Sequence, residues 1–258
     1  MKRPKVCILR TAGTNCDKET AFAFYKAGAE ADLVHVNRLI NKEKNINDYG
    51  ILAIPGGFSY GDDAGAGRIL ANELRFKLIG DIRKFIAEGK LIIGICNGFQ
   101  ILAKSGLLPG NNGLVQESSL IINDSNKFED RWVYLKPSGS CVWTKGIEEA
   151  IYLPVAHGEG KFVTSTAGVL NRLKVNKQII FRYCDSAGRL SGYPGNPNGS
   201  KGNIAGISDR SGRILGLMPH PERHIQVSQR PRLSPGRKRE GDGMMIFRNG
   251  VEYARKNL

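Results

Sequence analysis

Three short apolar runs, at residues 5–10, 51–54 and 91–95, constrain the fold more than any other feature of the chain. Each run is apolar along nearly its whole length, which is typical of a strand buried on both faces of a parallel sheet. Segments with helical character separate the runs: residues 17–29 are helix-like, and apolar side chains recur at helical spacing through residues 68–88. Strands that alternate with helices predict an α/β fold, with a parallel central sheet covered by helices.

The second half of the chain contains more strand-like segments than the first. They lie at residues 132–135, 151–155, 178–183, 204–208 and 214–218. Residues 191–203 are rich in Gly, Pro, Asn and Ser, which predicts an exposed loop, and residues 242–256 could close the chain as a helix. The sequence shows no internal repeat or linker. We therefore expect one domain over residues 1–258, with a mostly parallel sheet and antiparallel strands added from the second half.

The charge balance is strongly basic, with 38 Lys and Arg residues against 24 Asp and Glu residues and a formal net charge of +14. Such a balance is compatible with nucleic-acid binding. Much of the excess lies late in the chain, however, and Arg230 to Arg239 fall in a segment at about residues 228–241 that also carries prolines. No aromatic residues interleave with these cations, so a base-stacking surface is not predicted. We expect no nucleic-acid partner and interpret the segment as a mobile loop or a docking patch for an acidic partner.

The remaining composition excludes several other classes of protein. No run approaches the roughly 18 apolar residues of a membrane span, and the N-terminal residues lack the apolar stretch of a secretory signal. The five cysteines are scattered without Cys-x-x-Cys spacing, and the four histidines form no metal-ligand pattern with them. We expect a cytoplasmic protein with no membrane partner, no metal site and no disulfide framework.

Cys96 follows the third apolar run directly, within a Gly-x-Cys-x-Gly sequence, and a helix-compatible segment comes next. This order has the form of a nucleophile elbow with Cys in place of Ser. The flanking glycines permit a sharp strand-to-helix turn, and the N-terminus of the helix favours thiolate over thiol. The alternative is a buried structural cysteine at the end of a strand, since Cys is among the residues most often buried.

A candidate base for this nucleophile is His220, which follows the apolar run at residues 214–218. Glu222, two residues further on, could accept a hydrogen bond from one ring nitrogen and stabilise the imidazolium. Prolines on both sides of His220 stiffen the turn that presents it. A surface histidine in a Pro-rich turn is the alternative.

Gly56, Gly57 and Phe58 follow the second apolar run, and we expect them to contact the substrate or its oxyanion. A Gly-Gly pair at the end of a parallel strand can point backbone N–H groups into the crevice at the sheet edge, as an oxyanion hole requires. The amide of Asn97, directly after the nucleophile, is the natural second donor. A phosphate-binding loop is the competing interpretation, but no Gly-x-Gly-x-x-Gly or Gly-Lys-Ser/Thr sequence is present.

Five segments together resemble the class I (triad) glutamine amidotransferases, which have a flavodoxin-like α/β fold, and within them the glutaminase subunits of phosphoribosylformylglycinamidine synthase, the PurQ family. The likeness spans about residues 5–223. The segments are Gly13-Thr14-Asn15-Cys16-Asp17, Gly56-Gly57-Phe58-Ser59-Tyr60-Gly61-Asp62, Cys96-Asn97-Gly98-Phe99-Gln100, Pro154-Val155-Ala156-His157-Gly158-Glu159-Gly160 and Met218-Pro219-His220-Pro221-Glu222-Arg223.

The resemblance implies that Cys96 forms a γ-glutamyl thioester with glutamine, that His220 moves the proton and that Glu222 orients the imidazole. It also implies that Gln100 and His157 line the glutamine pocket, although His157 could equally be a loop histidine bonded to backbone. Ammonia would pass to a large ATP-dependent, PurL-like synthetase subunit, with a small PurS-like subunit as a further expected partner. ATP and Mg²⁺ would belong to the synthetase, since this chain has no P-loop or ATP-grasp signature.

Two features depart from the pattern of this family. Asp63-Ala64-Gly65 stands where many relatives have an aromatic and then an aliphatic residue, and the basic segment near residues 228–241 looks like an insertion. Two other functions also stay open on sequence alone. One is a cysteine hydrolase or chaperone-like protein of the same fold, and the other is a basic binding module that retains an inactive site.

Overall fold

The computed structural model describes residues 3–110, 114–231 and 240–258. Within these ranges the chain forms eleven strands and seven α-helices. In chain order they are β1 (Lys5–Arg10), α1 (Asp17–Lys26), β2 (Glu30–His35), α2 (Val36–Ile40), β3 (Ile51–Ile54), α3 (Arg68–Lys77), α4 (Ile79–Ala87), β4 (Leu91–Ile95), α5 (Asn97–Lys104), β5 (Ser118–Ile121), β6 (Glu129–Pro137), β7 (Ile151–His157), β8 (Lys161–Thr164), α6 (Ala167–Val175), β9 (Ile179–Cys184), β10 (Ile204–Ser208), β11 (Ile214–Leu217) and α7 (Met244–Asn257).

Nine of the described strands form one sheet, in the order β2-β1-β3-β4-β11-β10-β9-β6-β7. The five strands from β2 to β11 pair in parallel at every step. Every residue of β3, β4 and β11 is buried, as expected for strands covered on both faces. The α/β fold predicted from the apolar runs is therefore confirmed.

The other strands of this sheet pair in an antiparallel manner at each step from β11 to β7. Four reversals of direction leave β7 running the same way as β4. The carboxyl ends of β3, β4, β11 and β7 therefore share one edge of the sheet, where reactive groups gather in open α/β sheets. The added antiparallel strands of the second half are also confirmed.

The helix predicted over residues 68–88 is two helices, so the expectation of a single helix was wrong. α3 ends at Lys77 and α4 begins at Ile79, because Leu78 has non-helical backbone angles of φ −120° and ψ 1°. The Leu78 side chain is nevertheless buried in the core. The apolar periodicity thus records which side chains are buried, and it does not record the change in backbone direction.

Sequence patterns gave no sign of β5 and β8, which form a separate two-stranded sheet, or of α6. The exposed loop predicted at residues 191–203 is partly buried, since Asn196, Asn198 and Ser200 are 8%, 0% and 3% exposed. Internal hydrogen bonds make this possible: Asn196 Oδ1 accepts from the Ser200 N–H, and Asn198 Oδ1 accepts from the Ser200 hydroxyl. A polar loop can be buried when its own side chains satisfy its backbone.

Residues 232–239, the most basic part of the predicted insertion, lie outside the described residues. In the described portion of the chain, no helix combines the length and the apolar character needed to cross a bilayer.

Candidate active site

Cys96 lies at the predicted strand-to-helix turn, between β4 and α5. Its backbone has φ 53° and ψ −108°, a conformation that is strained for a residue with a side chain. Neighbouring glycines allow the turn, since a Cβ on Gly98 would lie 1.9 Å from the carbonyl oxygen of Ile54, and one on Gly94 would lie 2.5 Å from that of Gly98. The elbow therefore depends on close backbone contact between α5 and the sheet. The Cys96 Sγ lies 3.7 Å from the Ala156 carbonyl oxygen.

His220 and Glu222 form a short buried pair just beyond β11. His220 Nδ1 lies 2.5 Å from Glu222 Oε1, and each residue is 1% exposed. The backbone N–H of His220 donates to the Pro154 carbonyl oxygen at 2.8 Å, and this bond connects the turn to β7. Burial alone would lower the pKa of His220, but the negative charge of Glu222 and the nearby Cys96 raise this pKa well above its ordinary value. His220 Nε2 has no hydrogen-bond partner among the described residues, so this nitrogen is available to the thiol.

Gly56 lies between Cys96 and His220. A Cβ placed on it would be 2.8 Å from His220 Cε1 and 3.3 Å from Cys96 Cβ. Gly57 has φ +135°, a conformation that favours glycine. On the other side of Cys96, the Asn97 amide is at the first position of α5, where helical N–H groups lack an intrahelical acceptor. The two amides expected to donate to the oxyanion are therefore near Cys96. Asn97 is the next residue in the chain, and Gly57 belongs to the neighbouring turn after β3.

A cavity of about 140 Å³ opens beside Cys96. It is lined by Gly57, Phe58, Asp62, Ala66, Cys96, Gln100, Phe128, Ala156, His157, Gly158 and Glu159. Four residues predicted for substrate contact, namely Gly57, Phe58, Gln100 and His157, are in this set. A larger cavity of about 720 Å³, lined by residues 146–151, 240–242, 245 and 248, includes none of the predicted site residues. We take the smaller cavity as the candidate site because Cys96, the predicted nucleophile, lines it.

The side chains of Asn97 and Gln100 hold the walls of this cavity together. Asn97 Nδ2 donates to Gln100 Oε1 at 2.9 Å, and Gln100 Nε2 donates to the Glu159 carbonyl oxygen at 2.6 Å. Asn97 Oδ1 accepts from the Ser59 hydroxyl at 2.6 Å. The loop after β3 and the loop after β7 are thus both fastened to α5, directly behind the nucleophile.

His157, at the end of β7, contributes a neutral imidazole to the cavity wall. Burial, with a smaller contribution from the charge of His220, lowers the pKa of His157 to about 3. Asn198 Nδ2 lies 3.4 Å from His157 Nε2, which assigns Nε2 as the acceptor and puts the proton on Nδ1. That Nδ1 has no hydrogen-bond partner in the described parts of the chain and is shielded from solvent, with Gly160 beside it.

Comparison with known proteins identifies the family. A family model described as the CobB/CobQ-like glutamine amidotransferase domain matches residues 3–254. The chain is 52% identical over 260 residues to the phosphoribosylformylglycinamidine synthase subunit PurQ of Dehalococcoides mccartyi, a match covering 99% of this chain and 100% of that one. The chain belongs to the PurQ family of glutamine amidotransferases. A PurQ subunit from Methanococcus maripaludis is 47% identical, with 98% of each chain covered.

A solved structure, titled as PurLQS from Thermotoga maritima, supports the same assignment. One of its chains superimposes on this one with a TM-score of 0.75 and 32% identity, over 98% of this chain and 99% of that one. The α/β amidotransferase fold expected from the resemblance is therefore confirmed.

Cys16 is the clearest site residue that sequence reasoning missed. Cys16 lies within one of the segments that resemble the PurQ family, but the sequence pattern assigns it no role. Its Sγ lies 4.0 Å from His220 Nδ1, on the side of the ring where Glu222 also bonds. Burial raises the pKa of Cys16 to about 11 although nearby His220 lowers it, so the thiol is protonated at neutral pH. Arg223 Nη2 donates to the same sulfur at 3.2 Å.

Asp62, Phe128 and Glu159 also line the cavity without having been predicted to do so. Phe128 and Phe58 stack with ring centroids 6.5 Å apart, and both rings remain about half exposed. Asp62 accepts a hydrogen bond from Asn97 Nδ2 at 3.2 Å, and burial raises the pKa of its carboxyl group. Asp62 and Glu159 lie within two of the segments that resemble the PurQ family, whereas no sequence pattern indicated Phe128.

Proposed function

We propose that this PurQ-family chain is the glutaminase subunit of a phosphoribosylformylglycinamidine synthase. It hydrolyses glutamine to glutamate and ammonia, and the ammonia goes to a synthetase subunit that makes formylglycinamidine ribonucleotide with ATP. The observation that carries this proposal is the buried His220–Glu222 pair, 2.5 Å apart, at the sheet edge where Cys96 lines a small cavity.

In the first half of the reaction, the Cys96 sulfur attacks the side-chain amide carbonyl of glutamine. His220 accepts the thiol proton at Nε2, while Glu222 holds the ring through Nδ1 and stabilises the imidazolium. The N–H groups of Gly57 and Asn97 stabilise the oxyanion as it forms. The carbon–nitrogen bond then breaks, His220 returns the proton to the leaving nitrogen, and ammonia and a γ-glutamyl thioester result.

Water completes the cycle. His220 removes a proton from a water molecule that attacks the thioester carbonyl, the carbon–sulfur bond breaks, and the Cys96 thiolate recovers a proton as glutamate leaves. In this mechanism the chain supplies every catalytic group, and no cofactor or metal takes part. Gly57, Phe58, Gln100 and His157 line the cavity that receives the amino acid.

The partners follow from the relatives. The solved neighbour is titled PurLQS, so we assign this chain a PurL-like synthetase and a small PurS-like subunit as partners. ATP and Mg²⁺ bind to the synthetase in this assignment. A cytoplasmic location, where purine precursors are made, completes the proposal.

The test is glutamate release by the purified chain with and without its synthetase partner. Cys96→Ala should reduce the rate at least about 10³-fold, because it removes the nucleophile. Cys184→Ala, which removes a buried thiol at the end of β9, should retain activity. Undiminished activity in the Cys96→Ala variant would refute the mechanism. Labelling of Cys96 by a glutamine-analogue electrophile distinguishes a glutaminase from a hydrolase with other substrates.

A further inference from the structure

Cys16 carries a thiol that the proposed reaction does not use, yet it lies against the two residues that activate Cys96. Its Sγ, a ring nitrogen of His220 and a carboxylate oxygen of Glu222 all lie within 4.8 Å of one another, and all three residues are buried. Thiolate, imidazole and carboxylate are the ligand types that zinc binds in proteins. We propose that Cys16, His220 and Glu222 form an inhibitory zinc site behind the nucleophile.

The distances suit zinc after small movements. Zn²⁺ binds sulfur at about 2.3 Å and nitrogen or oxygen at about 2.0–2.2 Å in a tetrahedron, which sets neighbouring ligand atoms about 3.3–3.5 Å apart. The 4.0 Å between Cys16 Sγ and His220 Nδ1 must shorten by about half an ångström. The 2.5 Å between His220 Nδ1 and Glu222 Oε1 must lengthen, which rotation of the carboxylate accomplishes. A water molecule completes the tetrahedron.

The charges of the cluster also balance. The thiolate of Cys16 and the carboxylate of Glu222 neutralise the two positive charges of zinc. The Cys16 proton and the Nδ1 proton of the His220 imidazolium are released to solvent on binding. Arg223 lies 3.2 Å from the Cys16 sulfur and favours its thiolate form. The charge of Arg223 is itself paired with Glu19 at 2.8 Å, so it does not leave an uncompensated cation beside the metal.

Zinc at this site stops the reaction without touching Cys96. The metal takes the lone pair of His220 Nδ1, so the neutral ring carries its proton on Nε2. Nε2 can then no longer accept the proton of the Cys96 thiol, and Glu222 no longer orients the ring. This inhibition rests on the proposed glutaminase function, whereas binding of the metal does not.

Binding is tested with Co²⁺ as a spectroscopic substitute for zinc, titrated into the full chain. The near-ultraviolet thiolate-to-cobalt absorption should appear in the wild type and in the Cys96→Ala and Cys184→Ala variants, and zinc should displace it. It should be lost in Cys16→Ala and Cys16→Ser, whose folding is checked by thermal unfolding. A wild-type protein without this absorption, or a signal that requires Cys96 instead of Cys16, overturns the proposal.

Inhibition is tested with zinc in the glutaminase assay, with each variant compared with its own zinc-free rate. Loss of a residue that only hydrogen-bonds to a metal ligand typically weakens metal binding about 10–100-fold. Cys16 is itself a proposed ligand, so Cys16→Ala should need at least about tenfold more zinc for half-inhibition. Equal zinc sensitivity of the wild type and Cys16→Ala overturns the inhibitory role. Inactivity of the metal-free wild type would count against the proposed function, and the cobalt spectra would still decide the site.

Discussion

At the scale of single residues, the proposed reaction depends on one buried pair, His220 and Glu222. His220 and Glu222 are both 1% exposed, and the charge of Glu222 is what raises the pKa of His220 against the effect of burial. Removing one partner of a buried pair leaves the other unsatisfied, which is more damaging than the loss of an exposed contact. In the proposed mechanism, the Glu222 carboxylate therefore sets both the orientation and the proton affinity of His220.

We expect Glu222→Gln to lower kcat for glutamate release by about 10³- to 10⁴-fold, as loss of the charge behind a catalytic histidine does elsewhere. Glutamine has the same shape, so folding should be largely retained. Glu117→Gln makes the same change in the surface pair with Arg172 and should leave the rate near that of the wild type. A Glu222→Gln rate within tenfold of the wild type would show that the carboxylate does not orient the base.

The pKa of His157 is shifted in the opposite direction from that of His220, and this shift predicts how stability depends on pH. In the unfolded chain its imidazole protonates near pH 6.5, whereas burial in the folded protein keeps it neutral down to about pH 3. The unfolded state therefore binds the extra proton first, and stability falls as the pH drops from about 6.5 toward 3. Between about pH 7 and pH 5 this residue should remove about 1–2 kcal/mol from the free energy of unfolding.

The measurement is urea unfolding of the wild type and of His157→Gln at these two pH values. The variant lacks the titrating group, so its stability should decline less in acid than that of the wild type. Equal declines in the two proteins would mean that His157 is not held neutral by burial.

At the scale of elements, the nucleophile depends on how closely α5 approaches the sheet. A Cβ placed on Gly98 in α5 would lie only 1.9 Å from the Ile54 carbonyl oxygen in β3. Any side chain here must push the helix away from the strand and move the Cys96 turn with it. Gly80 in α4 is a useful comparison, because a Cβ there would meet no atom within 4 Å.

We expect Gly98→Ala to destabilise the fold by about 1–3 kcal/mol or more through overpacking, and to abolish glutaminase activity. Gly80→Ala should instead stabilise by about 0.5–1 kcal/mol, because alanine is the better helix former. Both free energies come from urea unfolding. Similar effects of the two substitutions would contradict the close packing of α5 described above.

At the scale of the whole molecule, the site is assembled across the sheet from both halves of the chain. Cys96 comes from the parallel strands, whereas His157 comes from the far antiparallel edge, which four reversals of strand direction bring to the same side. Buried asparagines secure this second wall. Asn123 Nδ2 donates to the His157 carbonyl oxygen at 2.8 Å, and Asn198 bonds the His157 ring and the Tyr183 hydroxyl.

Asn198→Ala should therefore loosen His157 and raise KM for glutamine, with a smaller effect on kcat. A hydrogen bond contributes about 0.5–1.5 kcal/mol, which corresponds to a rise of about 2- to 10-fold in KM. The assay is steady-state glutamate release in the complex with the synthetase, with Asn37→Ala on the exposed surface of α2 as the control. A fall in kcat at unchanged KM would mean that Asn198 supports the catalytic step and not the binding of glutamine.

The sequence by itself determined the α/β class, most of the sheet strands and the turn that carries Cys96. These features are encoded locally: an apolar run specifies a buried strand, and glycines at fixed spacing specify a sharp turn. The spacing of His220 and Glu222 also predicted their pairing, and the family resemblance added Gln100 and His157 to the cavity. The structure brings those residues to one edge of the sheet.

Only the tertiary structure decided which distant residues touch. Cys16 and His220 are neighbours although 204 positions separate them, and Asn198 belongs to a loop whose composition indicated exposure. Phe128 likewise reaches the cavity with no sequence pattern of its own. The physical reason is that such contacts depend on how whole strands and helices pack, whereas residue patterns report local conformation and burial alone.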